Sequence, residues 1–463
     1  MAFLTSLFAA IRVRLCMLWA AVAALPMLIG AILPVLFRGP GTLTERLVKQ
    51  AAATPSQRQV FAFLRLALPN LVLSIQFVKA YESTGTAIVS RAEDVIEVLD
   101  READFEVVYE PKMRAITGGE NFFLGMQDSA AYQRDVSNMR VTVRRSDVAD
   151  ILVPLAAARA AAIVAVAEGQ IDVPGELTRR LPAILVGAYF GTPGPGNPAL
   201  GEEASGELAI IDWTAKLFWY LFIDLAGDEH ITGDALAAAR DFCAYLDVTI
   251  AARKTSPAQA DDILARCLAM QEAGLPGMDD RAIRNNLFGL LIGFVPTLSK
   301  AGVQALNGLL DRPAALAGAQ AAARADNDAL LGAYIFEALR FDPINPVIYR
   351  RATRETIIAR GTLRARTIPK GTMVMAANLS AMFDPLRVDA PDEFRIDRPW
   401  GIYLLWGYGM HTCFGAHINR AILPQILKPL LKLNNLRRAP GAAGQIDAGG
   451  TPFPQHMILR FDR

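Results

Sequence analysis

The stretch Trp406-Gly-Tyr-Gly-Met-His-Thr-Cys-Phe-Gly415 runs straight into the apolar-periodic segment Ala416 to Leu433, and it constrains this chain more than any other part. A cysteine just ahead of a helix N-terminus sits where free backbone amides and the helix dipole favour the thiolate. Gly407, Gly409 and Gly415 let the backbone bend around the sulfur and aim amide hydrogens at it, and such donors tune a metal thiolate. Cys413 is therefore a candidate anionic ligand. The same pattern also describes a buried, inert thiol, and these residues alone leave both readings open.

The remaining composition narrows the choice. Cys16, Cys243, Cys267 and Cys413 have neither the density of a disulfide scaffold nor the close pairing of a zinc or iron-sulfur site. Histidine is limited to His230, His411, His417 and His456, with no HExxH pair. With 47 basic and 46 acidic side chains the net charge is +1, so the total does not argue for nucleic acid or another polyanion as a partner. At 463 residues and 52% hydrophobic, the chain can bury a large core.

From Leu15 to Phe37 there are 23 residues without a charge, flanked by Arg12, Arg14 and Arg38, which is long enough to span a bilayer. Pro26 and Pro34 leave open a segment lying in the membrane interface. Arg38-Gly-Pro-Gly41 reads as a hinge, giving residues 1–40 as anchor and hinge and 41–463 as one domain. Helical patterns cover Ser90 to Arg101, Ala131 to Val166, Gly206 to Leu225, Gly233 to Ile250, Asp279 to Leu310, Asn327 to Arg340 and Ala416 to Leu433. Strand-like runs are few and cluster late, at Thr356 to Ala359, Thr372 to Ala376 and Met457 to Phe461. Gly191 to Gly206 reads as a surface loop. The pattern predicts a mainly helical domain with a small β portion.

The cysteine segment resembles the haem-binding loop of the cytochrome P-450 family, aromatic-Gly-x-Gly-x-His-x-Cys-x-Gly, with Trp406 at the aromatic position and Gly407, Gly409, His411, Cys413 and Gly415 matching. Upstream, Phe336-Glu-Ala-Leu-Arg340 resembles the family's ExxR motif; Glu337 and Arg340 are three apart and share a helix face. Arg350 matches the arginine that reaches a haem propionate, and Ile368-Pro-Lys-Gly371 matches the following turn. Ala377-Asn378 through Asp384-Pro385, and Pro391-Asp-Glu-Phe394 with Arg398, resemble the stretches before the loop. The resemblance implies a triangular helical fold enclosing protohaem (haem b). It also implies Cys413 as iron ligand, His411 as a propionate partner, and a structural ion-pair unit of Glu337, Arg340 and Arg398. Where the family places His or Trp followed by Arg on its helix C, this chain has Tyr132 and Val136, with Arg134, Arg140 and Arg144 as available substitutes. Arg140, Arg144 and Arg145 form either a solvated face or a docking patch for an acidic electron donor.

The run Trp213 to Phe222 falls where the family roofs its substrate cavity, which implies Phe218, Phe222, Gly293 and Phe294 as cavity residues and an apolar substrate such as a fatty acyl chain, terpenoid or steroid. The oxygen-binding helix of the family carries Ala/Gly-Gly-x-Asp/Glu-Thr; here Gly293-Phe-Val-Pro-Thr297 keeps Thr297 but has Pro296 at the acid position. A proline there removes a backbone hydrogen bond and bends the helix. The resemblance implies a monooxygenase that uses dioxygen, with Cys413 and Thr297 catalytic and electrons from a separate ferredoxin or reductase. The uncharged run Leu15 to Phe37 adds the expectation of membrane association, with the catalytic domain facing the cytoplasm. A peroxide- or lipid-hydroperoxide-using enzyme and a non-catalytic haem carrier or sensor are the alternatives.

Overall fold

The computed structural model describes residues 54–196, 202–256 and 261–462, together with positions scattered between 11 and 29. About half of the expected membrane segment Leu15 to Phe37, including everything after residue 29, falls outside these residues. The chain divides into two compact units, each built from separated stretches of sequence: the first takes residues up to Val78, Glu82–Glu106 and Leu339–Cys413, and the second takes Lys79–Tyr81, Val107–Ala338 and Phe414–Arg463.

The first unit is built around a five-stranded sheet. Its strand order is Asn70–Leu73, Thr86–Val89, Met373–Ala376, Ile348–Ala352, Phe105–Glu106, and the one parallel pairing joins Thr86–Val89 to Met373–Ala376. A separate hairpin pairs Thr356–Ile358 with Arg366–Ile368. The expectation that strands cluster late is corrected here, because three of the five strands come from the first 106 residues. They are short, and a strand of two to four residues carries too little alternation to be read from sequence. Helix Ala92–Asp100 takes its N-terminal cap from far along the chain: Ala92 N donates to Asp384 Oδ2 at 2.9 Å, and Arg91 Nε reaches the same oxygen at 2.7 Å. Arg65 in helix Thr54–Ala67 donates to the Ser380 carbonyl at 3.1 Å, and Ser380 Oγ donates to the Ser90 carbonyl at 2.7 Å. These bonds knit the two ends of the sequence into one layer.

The second unit is helical, with a three-stranded sheet of Gln170–Asp172, Ile458–Asp462 and Asn434–Arg438. Its axis is helix Asp280–Leu310, started by Asp279, whose side chain accepts from Ala282 N at 3.0 Å, and stopped before Pro313. Apolar side chains on every side of this helix are buried, so its length and hydropathy belong to a core element. Gly289 lets the Phe122 ring approach so closely that a methyl group there would sit 2.4 Å from it. The helix expected over Ala131 to Val166 is two helices, Ala130–Thr142 and Val153–Ala165. Asp147 breaks it: buried, it accepts from Tyr189 Oη at 2.6 Å and from Arg266, and the chain turns to deliver it. The loop expected at Gly191 to Gly206 is shorter than its composition suggests, since helix Glu202–Phe218 begins inside it. Helix Asp328–Phe341 starts behind Asn327, whose Oδ1 accepts from Leu330 N at 3.0 Å, and ends where Pro343 follows.

Candidate active site

The cysteine loop owes its shape to two glycines. Gly407 and Gly409 adopt φ of 78° and 71°, a left-handed conformation that costs any residue with a Cβ about 1–2 kcal/mol. At Gly409 there is also no room, because an added Cβ would lie 2.6 Å from the Leu99 carbonyl oxygen. Between them the loop folds back: Cys413 N donates to the Trp406 carbonyl at 2.8 Å, and Thr412 N to the Gly409 carbonyl at 3.1 Å. Gly415 differs, with φ of −87° and open space around it, and it serves as the residue before helix Ala416–Leu431. Glu102, at the end of helix Ala92–Asp100, clamps the loop from outside: its Oε1 accepts from Met410 N at 2.7 Å. No sequence signal marks Glu102, since it stands 308 residues from its partner.

Cys413 is the exposed cysteine among the described ones, while Cys243 and Cys267 are covered by protein. Burial pushes the Cys243 thiol up to about 11 and the Cys267 thiol up to about 12. Neither ionises at neutral pH, and neither stands on a loop shaped to present it. A soft, anionic sulfur donor is what a haem iron takes as axial ligand, so the donor set fits the group.

Around this loop the first unit gathers most of the other expected residues. Ile348 lies against Gly407, and two positions on, on the same strand, Arg350 is buried and donates to the Tyr349 carbonyl at 3.0 Å. Arg340 is fully buried; its Nη2 donates to the Glu393 carbonyl at 3.1 Å and its Nη1 to the Met382 carbonyl at 3.1 Å. Arg398 donates to that same Glu393 carbonyl at 2.9 Å, and to the carbonyls of Asp389 and Ala390. Arg340 and Arg398 thus meet through backbone oxygen, and the Arg340 guanidinium also lies over the rings of Phe341 and Phe383 at 4.5 and 4.4 Å. Glu337, one turn back on the same helix, is fully buried. His411 and Trp406 are half-buried on the loop itself.

The second unit holds Gly293, Phe294, Thr297, Phe218 and Phe222. Helix Asp280–Leu310 continues through Pro296, which has no amide to give the Ile292 carbonyl. Thr297 Oγ1 donates into the helix, to the Gly293 carbonyl at 2.5 Å. Phe294 is buried with its ring 5.4 Å from that of Phe190. Phe218 lies 4.7 Å from Phe222, which meets Tyr109 at 4.8 Å, so helix Glu202–Phe218 and the widened turn Trp219–Ile223 end in an aromatic cluster. Of the arginines available in place of the missing helix C arginine, Arg134 is exposed and paired with Asp135 at 2.7 Å. Arg144 is likewise exposed, paired with Asp261 at 3.2 Å. His417, four residues past Cys413, was missed; its Nε2 is buried with no hydrogen-bond partner, and burial, aided by the charge of Arg145, holds its imidazole below the ordinary histidine range.

A sequence profile of the family described as Cytochrome P450 matches residues 81–440. The chain belongs to the cytochrome P450 family. As such it is an oxidoreductase of the monooxygenase type, and membership implies haem iron. Among curated P450 relatives, Cyclomarin C epoxidase CymV of Salinispora arenicola is 30% identical over 309 residues, 66% of this chain and 72% of that protein. Psi-producing oxygenase A of Emericella nidulans is 32% identical over 151 residues, 29% of this chain, and the match spans only 14% of its length. Among solved structures, P450BioI in complex with hexadec-9Z-enoic acid ligated Acyl Carrier Protein has a TM-score of 0.72 at 18% identity, covering 88% of this chain and 99% of that one. That likeness establishes the mainly helical P450 fold.

Proposed function

We propose that this P450 oxidises a hydrophobic small molecule with dioxygen, taking electrons from a separate ferredoxin or reductase, with Cys413 as the axial ligand of haem b. The observation that carries the reading is the Cys413 loop: an exposed thiol, fixed by left-handed Gly407 and Gly409 and by its own amide, three residues ahead of a helix. Bound there, haem iron supplies oxygen activation, which the thiolate promotes by donating electron density. The chain's residues hold and shape the site. Arg350 and His411 are the cationic and hydrogen-bonding groups for the propionates, on a strand and a loop that abut. The buried Glu337 and Arg340, with the half-buried Arg398, fix the backbone through which the loop is reached. Phe218, Phe222, Gly293 and Phe294 offer apolar surface and exclude water, which suits an apolar substrate; CymV is named as an epoxidase and Psi-producing oxygenase A as an oxygenase. The uncharged run Leu15 to Phe37 supports attachment to a membrane, with the catalytic part on the cytoplasmic side.

The test is spectroscopic. The reduced carbon monoxide adduct of the native protein should show the red-shifted Soret band of a thiolate ligand, and Cys413→His should abolish that band. A normal thiolate spectrum in Cys413→His would remove Cys413 from the role. A second reading, direct use of a peroxide or lipid hydroperoxide, is favoured by the turn Gly293–Thr297. Pro296 supplies no carboxylate, Asp280 is the only acidic residue of the whole helix, and the Thr297 proton is engaged with the Gly293 carbonyl.

A further inference from the structure

Helix Ala92–Asp100 ends against the cysteine loop. Its last turn has no basic residue to meet the negative end of the helix dipole, and the Leu99 carbonyl faces Gly409. Glu102 brings a carboxylate to that same end, and among the described residues its side chain has one hydrogen-bond partner, Met410 N, and no basic one. The turn that carries Glu102 is tied down on both sides. Arg101 donates through Nε to Asp104 Oδ2 at 2.9 Å, and through its terminal nitrogens to the Ile357 carbonyl at 2.9 Å and Thr356 Oγ1 at 2.6 Å. Asp104 accepts in turn from Arg354 Nε at 2.7 Å, and Asp104 N closes the turn on the Arg101 carbonyl at 3.0 Å. The carboxylate is therefore presented to the loop from a fixed base.

A trans peptide is planar, so its N–H and C=O point in opposite directions. Where Met410 N–H meets Glu102, the Gly409 carbonyl of the same peptide points away, and there it accepts from Thr412 N at 3.1 Å and from Thr412 Oγ1 at 2.8 Å. Thr412 is the residue before Cys413. Glycine restricts its backbone little, so the 409–410 peptide has a reversed orientation open to it, with the Gly409 carbonyl aimed at Glu102 and Thr412 deprived of its acceptor. A carboxylate accepts hydrogen bonds and has none to give, and the Leu99 carbonyl beside it is also an acceptor, so this end of the helix rejects a carbonyl. We propose that Glu102 is a positioning residue for the haem ligand: it selects the orientation of the 409–410 peptide, and through the two Thr412 bonds that orientation fixes the Cys413 sulfur where iron takes it. This rests on the assignment of Cys413 as axial ligand. Without the selection the loop gains a second form in which the sulfur is not held for iron.

The experiment compares the full-length holoprotein with Glu102→Ala, Glu102→Gln and Glu102→Lys, with haem content, thermal unfolding and hydrogen exchange of the Met410 amide measured alongside. Haem-bound protein is scored by the ratio of the red-shifted Soret band of a thiolate ligand to the unshifted band in the reduced carbon monoxide adduct. Glu102→Ala should lower that ratio about tenfold, the scale of one hydrogen bond to a charged group, and speed exchange of the Met410 amide. Glu102→Gln keeps an acceptor oxygen and should hold the ratio within about threefold of the native protein. Glu102→Lys puts donors where the acceptor stood and so draws the reversed peptide. Its ratio should fall below that of Glu102→Ala, even though a basic residue suits a helix C-terminus and leaves the helix stable. A brace with no part in orientation would lower haem content and unfolding temperature in Glu102→Ala and leave the ratio unchanged, and that result overturns the proposal. So does a ratio as high in Glu102→Lys as in Glu102→Gln. A native protein without the red-shifted band would remove Cys413 from the ligand role and the proposal with it.

Discussion

Two glycines in the same loop, Gly409 and Gly415, separate what conformation demands from what the pattern merely contains. Gly409→Ala adds a Cβ at φ 71° and drives it to 2.6 Å from the Leu99 carbonyl, so it should cost about 2 kcal/mol or more and reduce the fraction of protein that takes up haem. Gly415→Ala, at φ −87° with open space, should leave stability within about 0.5 kcal/mol of the native protein. Thermal unfolding and haem content of the two variants check the contrast; equal losses would show that the loop is not held in this conformation. From sequence the glycines of the motif look alike, because a pattern records residue types and not the sign of φ. The place of Cys413 just ahead of a helix was legible for the opposite reason: spacing to a helix start is a local property, and local properties survive in a string of letters. Glu102 and His417 were not legible, since what Glu102 does depends on a partner far along the chain and what His417 does depends on its burial.

At the scale of elements, apolar periodicity located the long helices to within a few residues but could not see where tertiary bonds interrupt them. The pattern over Ala131 to Val166 is helical throughout, yet the chain breaks between Thr142 and Val148 so that Asp147 can meet Arg266 and Tyr189. Burial works against ionising Asp147, but Arg266 and Tyr189 outweigh it and hold its carboxyl below the usual range. Its contribution to stability is therefore full above the unfolded value near 3.9 and is lost as the pH falls through the lower folded value. Asp147→Asn should cost about 3 kcal/mol at neutral pH, the difference from the native protein shrinking below about pH 3. Denaturant titrations across that range measure it, and a difference independent of pH would assign the loss to packing. On helix Asp280–Leu310, Pro296 makes the second prediction at this scale. Product formation should be supported by hydroperoxide, while dioxygen turnover with a reduced partner leaks hydrogen peroxide and becomes better coupled in Pro296→Glu, because a carboxylate on that turn restores a proton donor. Well-coupled dioxygen turnover in the native protein, with no hydroperoxide-supported product, would eliminate the second reading and leave Pro296 a structural feature only.

For the whole molecule, fold class was legible because helical periodicity dominates and because the ExxR and cysteine motifs stand in family order. Sheet topology was not, since pairings such as Thr86–Val89 with Met373–Ala376 join strands too short to leave a signal. Deleting Met1 to Phe37 should move the protein from the membrane fraction toward the soluble one with its haem retained, since the haem motifs lie elsewhere in the sequence. Cell fractionation with absorbance spectra reads both quantities, and an unchanged distribution would locate attachment outside the run.

The long-range sheet also sets a schedule for biosynthesis. Translation proceeds at about 5–20 residues per second, so the segment Thr86–Val89 leaves the ribosome roughly 15–60 s before Met373–Ala376 exists to pair with it. The cap that Asp384 gives to Ala92 arrives later still, 292 residues behind. For that interval a nascent chain carries an open strand edge and an uncapped helix, while the second unit's central helices are already complete. That edge stays open until translation enters the last fifth of the message, and slow codons between the two strands would lengthen the exposure.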